Sequence, residues 1–202
     1  MWGERHIEIQ WMLDHLITPG TCIDVGSFDS LYIWELVRKQ WSVLRIDPRP
    51  FVTDIPFTNA LCADVLNLSP EKVEQVDNIV CISALEHIGL GAYGQERTKD
   101  PIATQKYAIK HMLNFLRPNG KLLITVPFGK YIDDGWYLVY DKGMVKNILN
   151  GKKVITEEYY TLLDKERDVY TKCTAEECPD VYLDNWRGGI RATSLACIGL
   201  TI

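Results

Sequence analysis

At 202 residues the chain is long enough to bury a sizeable core, and residues 1–202 are expected to form one domain of ordinary globular composition, 47% apolar and 24% charged. A net charge of −5 with no run of Lys or Arg reads against nucleic acid as the main partner, because phosphate binding needs a concentrated basic face. No apolar run approaches the roughly 20 residues needed to span a bilayer.

Met1-Trp2-Gly3-Glu4-Arg5-His6 carries charge without an apolar core behind it, which reads against secretion. Helical spacing of Ile7, Trp11 and His15, and of Met12 and Leu16, predicts an amphipathic helix from about Glu4 to Leu16. Thr18-Pro19-Gly20 stops it. A short buried strand, Cys22 to Val25, follows and runs into a sharp turn at Gly26. Asp29 or Ser30 is placed to cap the next helix, whose Leu31, Trp34 and Val37 side is apolar. A second strand, Ser42 to Ile46, delivers Asp47, 21 residues after Gly26. Strand, glycine turn, helix, strand, acid is the layout of a nucleoside-binding βαβ unit. The turn lets the backbone approach a ligand, and the acid takes ribose hydroxyls.

Pro48, Pro50 and Pro56 make the next segment a loop. A third strand, Ala60 to Ala63, ends at Asp64, and Pro70 predicts a short helix starting near Leu68. A fourth strand, Asn78 to Ile82, is continuously apolar, as a central parallel strand should be. It opens onto Ser83-Ala84-Leu85-Glu86-His87, followed by a loop containing Gly89, Gly91, Tyr93 and Gly94. A long helix from about Ile102 to Leu116 leads through Arg117-Pro118-Asn119-Gly120 into a fifth strand, Lys121 to Val126, ended by Pro127-Phe128-Gly129. A helix from Asp141 to Asn150 is closed by Gly151. Strands are predicted at Lys153 to Leu163, Asp168 to Thr174 and Ser194 to Leu200.

Strand–helix alternation followed by a β-rich tail predicts an α/β, doubly wound, mostly parallel sheet with an antiparallel edge. Ligands in such sheets bind beyond the carboxyl ends of the strands. Asp24 to Gly26, Asp47, Asp64, Ser83 to His87 and Pro127-Phe128 all fall at those ends. Cys22, Cys62, Cys81 and Cys197 lie inside predicted strands as small hydrophobes, whereas Cys173 and Cys178 are too isolated from other Cys or His to suggest zinc. A reduced, cytoplasmic protein is expected.

Three segments carry a family resemblance. Ile23-Asp24-Val25-Gly26 resembles the first motif of the class I S-adenosylmethionine-dependent methyltransferases. Ser83-Ala84-Leu85-Glu86-His87-Ile88 resembles the fourth-strand S-x-x-E-H motif of the small-molecule members. Leu116 to Pro127 is similar to the family's turn and fifth strand. The resemblance covers roughly residues 20 to 130 and implies a seven-stranded sheet of Rossmann-like methyltransferase type. The first motif departs from the family's three glycines: Phe28 and Ser30 stand where two of them are usual. Phe28 either obstructs the cofactor or swings out and covers it.

The resemblance implies an enzyme that transfers a methyl group from S-adenosylmethionine to an O or N atom of a small-molecule or sugar-containing acceptor. Its cofactor site would use Asp24, Gly26, Ser27, Phe28, Asp47, Pro48, Asp64, Val65 and Ser83. Asp47 would take the ribose hydroxyls; Asp64 and the N–H of Val65 would take adenine. His87 is the candidate base, oriented by Glu86, and Tyr93, Phe128 and Trp136 are candidate acceptor contacts. Each has a plainer reading: Asp47 and Asp64 as loop acids, Asp24 as a buried structural acid, His87 as a hydrogen-bonded structural histidine, the aromatics as core. Arg187 or Arg191 could meet an anionic acceptor group. No metal is expected, because Ser83 replaces the first Glu of the cation-binding E-x-x-E-H form and His111 is the nearest further histidine candidate. The loss of two motif glycines motivates an alternative, a methyltransferase-like binding or scaffold protein without catalysis. A nicotinamide-dependent oxidoreductase is disfavoured by the missing G-x-G-x-x-G.

Overall fold

The structure is a computed structural model. It describes residues 4–16, 20–30, 32–52, 54–71, 73–164, 167–180, 182–186 and 189–202, with backbone alone for 182–186 and 189–191. Thr18, Pro19, Leu31 and Arg187, and the side chain of Arg191, therefore lie outside the described residues.

Helix α1 (Arg5–His15) precedes β1 (Thr21–Val25), α2 (Ile33–Arg38), β2 (Ser42–Asp47), β3 (Thr58–Cys62) and β4 (Val76–Ile82). Helix α3 (Pro101–Leu113) leads to β5 (Leu116–Phe128), the short pair β6 (Ile132–Asp133) and β7 (Leu138–Val139), and α4 (Lys142–Leu149). The tail comprises β8 (Lys153–Asp164), β9 (Val169–Cys173), β10 (Tyr182–Trp186), β11 (Gly189–Ala192) and β12 (Ser194–Thr201). The main sheet runs β3-β2-β1-β4-β5-β12-β8-β9. Its first five strands are parallel, and β12, β8 and β9 join by antiparallel pairings. The α/β class, the parallel body and the antiparallel edge are as expected. The sheet has eight strands rather than seven, because β9 folds back on β8 and extends the edge.

Strand β4 reads as one apolar run because both its faces are buried. Ile79 and Cys81 point into a core shared with Ile109 and Met112 of α3 and Ile148 of α4. Val80 and Ile82 point into a second core with Trp11 and Met12 of α1 and Ile33 and Leu36 of α2. Helices thus cover both faces, and the apolar area removed from water on each side fixes the register. Asp100 caps α3 by accepting from Ala103 N at 2.9 Å, and Asp141 caps α4 by accepting from Met144 N at 2.7 Å.

The Arg117–Gly120 turn lies within β5 as a register shift against β4, between the Val76–Leu116 and Asn78–Lys121 pairs. Arg117 reaches Asp77 at 3.0 Å, while Asp77 Oδ2 accepts from Thr21 N and Oγ1, both at 2.9 Å. The turn therefore ties together the starts of β1, β4 and β5.

Three local expectations are corrected. Neither Asp29 nor Ser30 caps α2; it begins after Tyr32 with no side-chain cap. Among the described residues no helix starts near Leu68; a 3₁₀ turn, Val65–Asn67, forms earlier because Asp64 captures Leu66 N at 2.9 Å. Helix α3 stops at Leu113, and Leu116 already belongs to β5. Among the described residues, no helix is long and apolar enough to cross a membrane.

Candidate active site

Strand order reverses at β1, which lies between β2 and β4, and such a switch point leaves a crevice beyond the carboxyl ends of the strands. A cavity of about 800 Å³ lies there. Gly26 forms its floor at φ +80°, and a Cβ added at this position would stand 2.5 Å from the Cβ of Ala84. The β1 and β4 turns cross so closely that only glycine fits. Gly26 N and Ser27 N both donate to Ile46 O, at 2.9 and 3.2 Å, which locks the turn to the end of β2.

Asp47 ends β2 at 1% exposure. Its Oδ1 accepts from Arg49 N at 2.9 Å and Arg49 Nε at 2.8 Å. Its Oδ2 accepts from Phe28 N at 3.1 Å and an Arg49 terminal nitrogen at 2.9 Å. The Arg49 guanidinium lies 4.0 Å from the ring centre of Phe28 and 3.9 Å from that of Tyr93. The Phe28 ring packs against the Arg49 guanidinium. Asp64 Oδ2 accepts from Gln95 Nε2 at 2.7 Å, and Val65 lies beside it on the wall.

At the other side stand Ser83, Glu86 and His87. Ser83 has a left-handed backbone, φ +46°, where β4 breaks into the turn. Its hydroxyl donates to Glu8 Oε1 at 2.6 Å, as does Thr125 Oγ1 at the same distance. Glu8 is fully buried on α1, and Arg5 Nη1 stands 3.1 Å from its other oxygen. Glu86 is 3% exposed and its Oε2 has no hydrogen-bond partner. Burial, aided by the nearby Glu8, pushes its carboxyl up to about 8, so it is largely protonated at neutral pH.

His87 Nδ1 lies 2.8 Å from the backbone oxygen of Trp136. A carbonyl only accepts, so the Nδ1 of the neutral ring carries the hydrogen and Nε2 keeps a lone pair. Burial holds the ring's pKa below its ordinary value, opposed in part by the Trp136 carbonyl. The Trp136 carbonyl is held by its own turn. Asp134 Oδ1 accepts from Trp136 N and Tyr137 N, both at 2.8 Å, Asp133 accepts from Gly135 N at 3.0 Å, and Arg97 pairs with Asp133. Tyr93 and Trp136 pack edge to face at 4.8 Å, with the His87 ring 5.4 and 5.7 Å from them. Tyr93 adopts φ +59°, a left-handed conformation uncommon for a non-glycine residue.

Gly26, Asp47, Pro48, Asp64, Val65, Ser83, Glu86, His87, Tyr93 and Trp136 all line the cavity. Four predicted residues do not. Asp24 is wholly buried beneath the turn, where Tyr32 donates to it at 2.6 Å and burial raises its carboxyl to about 6. Ser27 is buried beside it. Phe28 is not on the wall; its backbone N–H donates to Asp47 and its ring packs against Arg49. Phe128 packs on Tyr159 in the core, with ring centres 4.6 Å apart, because strand alternation turns Pro127 to the wall instead. His111, weighed as a metal partner, donates from Nε2 to Leu68 O, 2.8 Å away, and is buried on α3. Sequence reasoning missed Arg5, Glu8, Arg49 and Gln95. The signal for Glu8 was a carboxylate at helical spacing from Trp11 and Met12, on the buried face of α1.

No protein-family model matches the chain, and no curated protein matches it either. Solved structures do match. The N-methyltransferase NodS from Bradyrhizobium japonicum WM9, in complex with S-adenosylhomocysteine, is 14% identical, with 98% of this chain and 86% of that one covered at a TM-score of 0.59. The 1,6-didemethyltoxoflavin-N1-methyltransferase of Burkholderia thailandensis, with 1,6-didemethyltoxoflavin and S-adenosylhomocysteine, is 11% identical, covering 96% and 76% at a TM-score of 0.59. The [4+2]-cyclase SpnF is 14% identical, covering 76% and 58% at 0.56. The strand order, the antiparallel edge and these likenesses agree: the chain has the fold of the class I S-adenosylmethionine-dependent methyltransferases.

Proposed function

We propose that the protein is a small-molecule methyltransferase that uses S-adenosylmethionine and methylates an amine nitrogen, an oxygen acceptor being the less favoured case. The observation that carries this reading is one crevice with nucleoside-type acids, Asp47 and Asp64, toward one side and a neutral histidine among aromatic rings toward the other. The residues fit the cofactor. Gly26 leaves room for a close backbone approach, Asp47 and Asp64 supply carboxylates at the ends of β2 and β3, and about 800 Å³ suits a ligand pair. When bound, the cofactor would supply an electrophilic methyl on a sulfonium, and the electron pair of the broken S–C bond would stay on sulfur.

The chain's own residues would orient the acceptor, exclude water and take a proton. Tyr93 and Trp136 offer aromatic surface to the positive charge that develops on a neutral amine as it takes the methyl, and the wall carboxylates favour that charge. His87 Nε2 would receive the proton lost from the acceptor nitrogen as its lone pair takes the methyl. Glu86, protonated and beside His87, would hold the acceptor by donating a hydrogen bond. The amine reading also draws on the NodS and toxoflavin enzymes, both N-methyltransferases by name.

Isothermal titration with S-adenosylhomocysteine tests the proposal, together with transfer of a labelled methyl to a panel of amines and alcohols. Wild type should bind, and Asp47→Ala should lose binding; equal affinity in the two proteins would remove Asp47 from the cofactor site. A second reading, a binding protein without methyl transfer, is favoured by Arg49 seated on Asp47 and by a cyclase sharing the fold. Binding without transfer to any member of the panel would select it.

A further inference from the structure

The carboxylate of Asp47 has no acceptor direction left. An ionised carboxylate offers about four lone-pair sites, and here all four are filled: two by backbone N–H groups, of Phe28 and Arg49, and two by the Arg49 side chain. The backbone donors are fixed by the turns that carry them. The side-chain donors are exchangeable, and they number two, as do the vicinal hydroxyls of a ribose. Arg49 is retained by more than its ion pair, because its guanidinium lies between the rings of Phe28 and Tyr93. Phe28 stands where a motif glycine is usual, so the residue that departs from the pattern also forms one side of the clamp.

We propose that Arg49 is an internal competitor for the ribose of the cofactor, holding Asp47 until a vicinal diol displaces its two side-chain hydrogen bonds. The inference rests on the cofactor reading above and deepens it. It accounts for the filling of every acceptor site of Asp47 from within the chain. It also links the two sides of the crevice. Tyr93, which clamps Arg49, belongs to the aromatic group around His87, so departure of Arg49 removes a partner from the acceptor wall.

The test is titration of wild type, Arg49→Lys and Arg49→Met with S-adenosylhomocysteine, each first checked for a cooperative thermal melt. Removing the competitor should tighten binding by about tenfold in Arg49→Met, the worth of a charge-assisted pair less the hydrogen bonds that replace it. Arg49→Lys should fall between, since an ammonium is a point donor and not a two-pronged fork. Should Arg49→Met not melt cooperatively, Arg49→Lys carries the test alone. Binding by Arg49→Met where wild type binds weakly or not at all supports competition most strongly. Binding in the variants equal to or weaker than in wild type overturns it while leaving the cofactor reading intact. No binding by any of the three proteins overturns both.

Discussion

The Nδ1 of His87 stands 2.8 Å from the backbone oxygen of Trp136, and that contact fixes which ring nitrogen can act as a base. Burial of the ring depresses its pKa, so Nε2 is unprotonated at neutral pH. Nitrogen-15 NMR of the histidine ring should report the Nδ1–H tautomer and a titration below the ordinary value of 6.5. An Nε2–H tautomer, or a midpoint above that value, would remove the residue as the proposed base. Replacing His87 by Gln should spare S-adenosylhomocysteine binding and lower methyl transfer by about 10²–10⁴-fold.

Glu86 shifts in the opposite direction from the same cause, burial. Its folded carboxyl titrates near 8, above the 4.5 of an exposed glutamate, because the charged form is desolvated. A carboxyl raised on folding contributes stability that is complete below the unfolded value and lost as pH climbs through the folded one. Wild type should therefore lose thermal stability between about pH 4.5 and pH 8, and Glu86→Gln should lose less. Asp24, raised to about 6, follows the same sign at lower pH and should be unaffected by that substitution. Scanning calorimetry across this range checks both, and equal slopes in the two proteins would contradict a protonated Glu86.

The parallel body was legible because its strands are buried on both faces. Val80 and Ile82 serve one core and Ile79 and Cys81 the other, so β4 reads as an apolar run without any need to know its neighbours. Gly26 and Asp47 were legible for a related reason: position at a strand end determines what each can do. Glu8 was not, since its partners Ser83 and Thr125 lie 75 and 117 residues away and only the packed α1 brings them together. Arg49 was also missed, although it is two residues from its partner, because a sequence cannot tell a solvated arginine from one clamped between two rings. Phe128 was misplaced by strand length: β5 runs to Phe128 itself, and alternation carries that residue into the core.

Gly26→Ala should be strongly destabilising although it adds one methyl. The position requires φ +80° and the new Cβ would meet Ala84 at 2.5 Å. Left-handed strain and overpacking together should cost about 2–4 kcal/mol. Gly26→Ala/Ala84→Gly relieves the clash but not the strain, so it should recover part of the loss. Urea unfolding of both variants tests this, and a double variant no more stable than the single one would exclude the crossing of the two turns as the cause.

Glu8 is the point at which α1 is fastened to the site. Its Oε1 accepts from Ser83, where β4 opens into the crevice, and from Thr125 near the end of β5, while Arg5 approaches its other oxygen. Glu8→Ala leaves two hydroxyls without their acceptor and removes the charge partner of Arg5. The cost should be about 2–4 kcal/mol, set by the two hydroxyls left without an acceptor, since the Arg5 side chain is 39% exposed and stays hydrated. Glu8→Gln keeps an acceptor oxygen for both hydroxyls and loses only the charge, so its cost should be smaller, about 1–2 kcal/mol. The order matters more than either value. If Glu8 held α1 by charge alone, the two variants would fall together in urea unfolding; if the hydroxyl bonds dominate, Gln retains most of the stability. A Glu8→Ala midpoint indistinguishable from wild type would mean that apolar packing of Trp11 and Met12 suffices to hold α1.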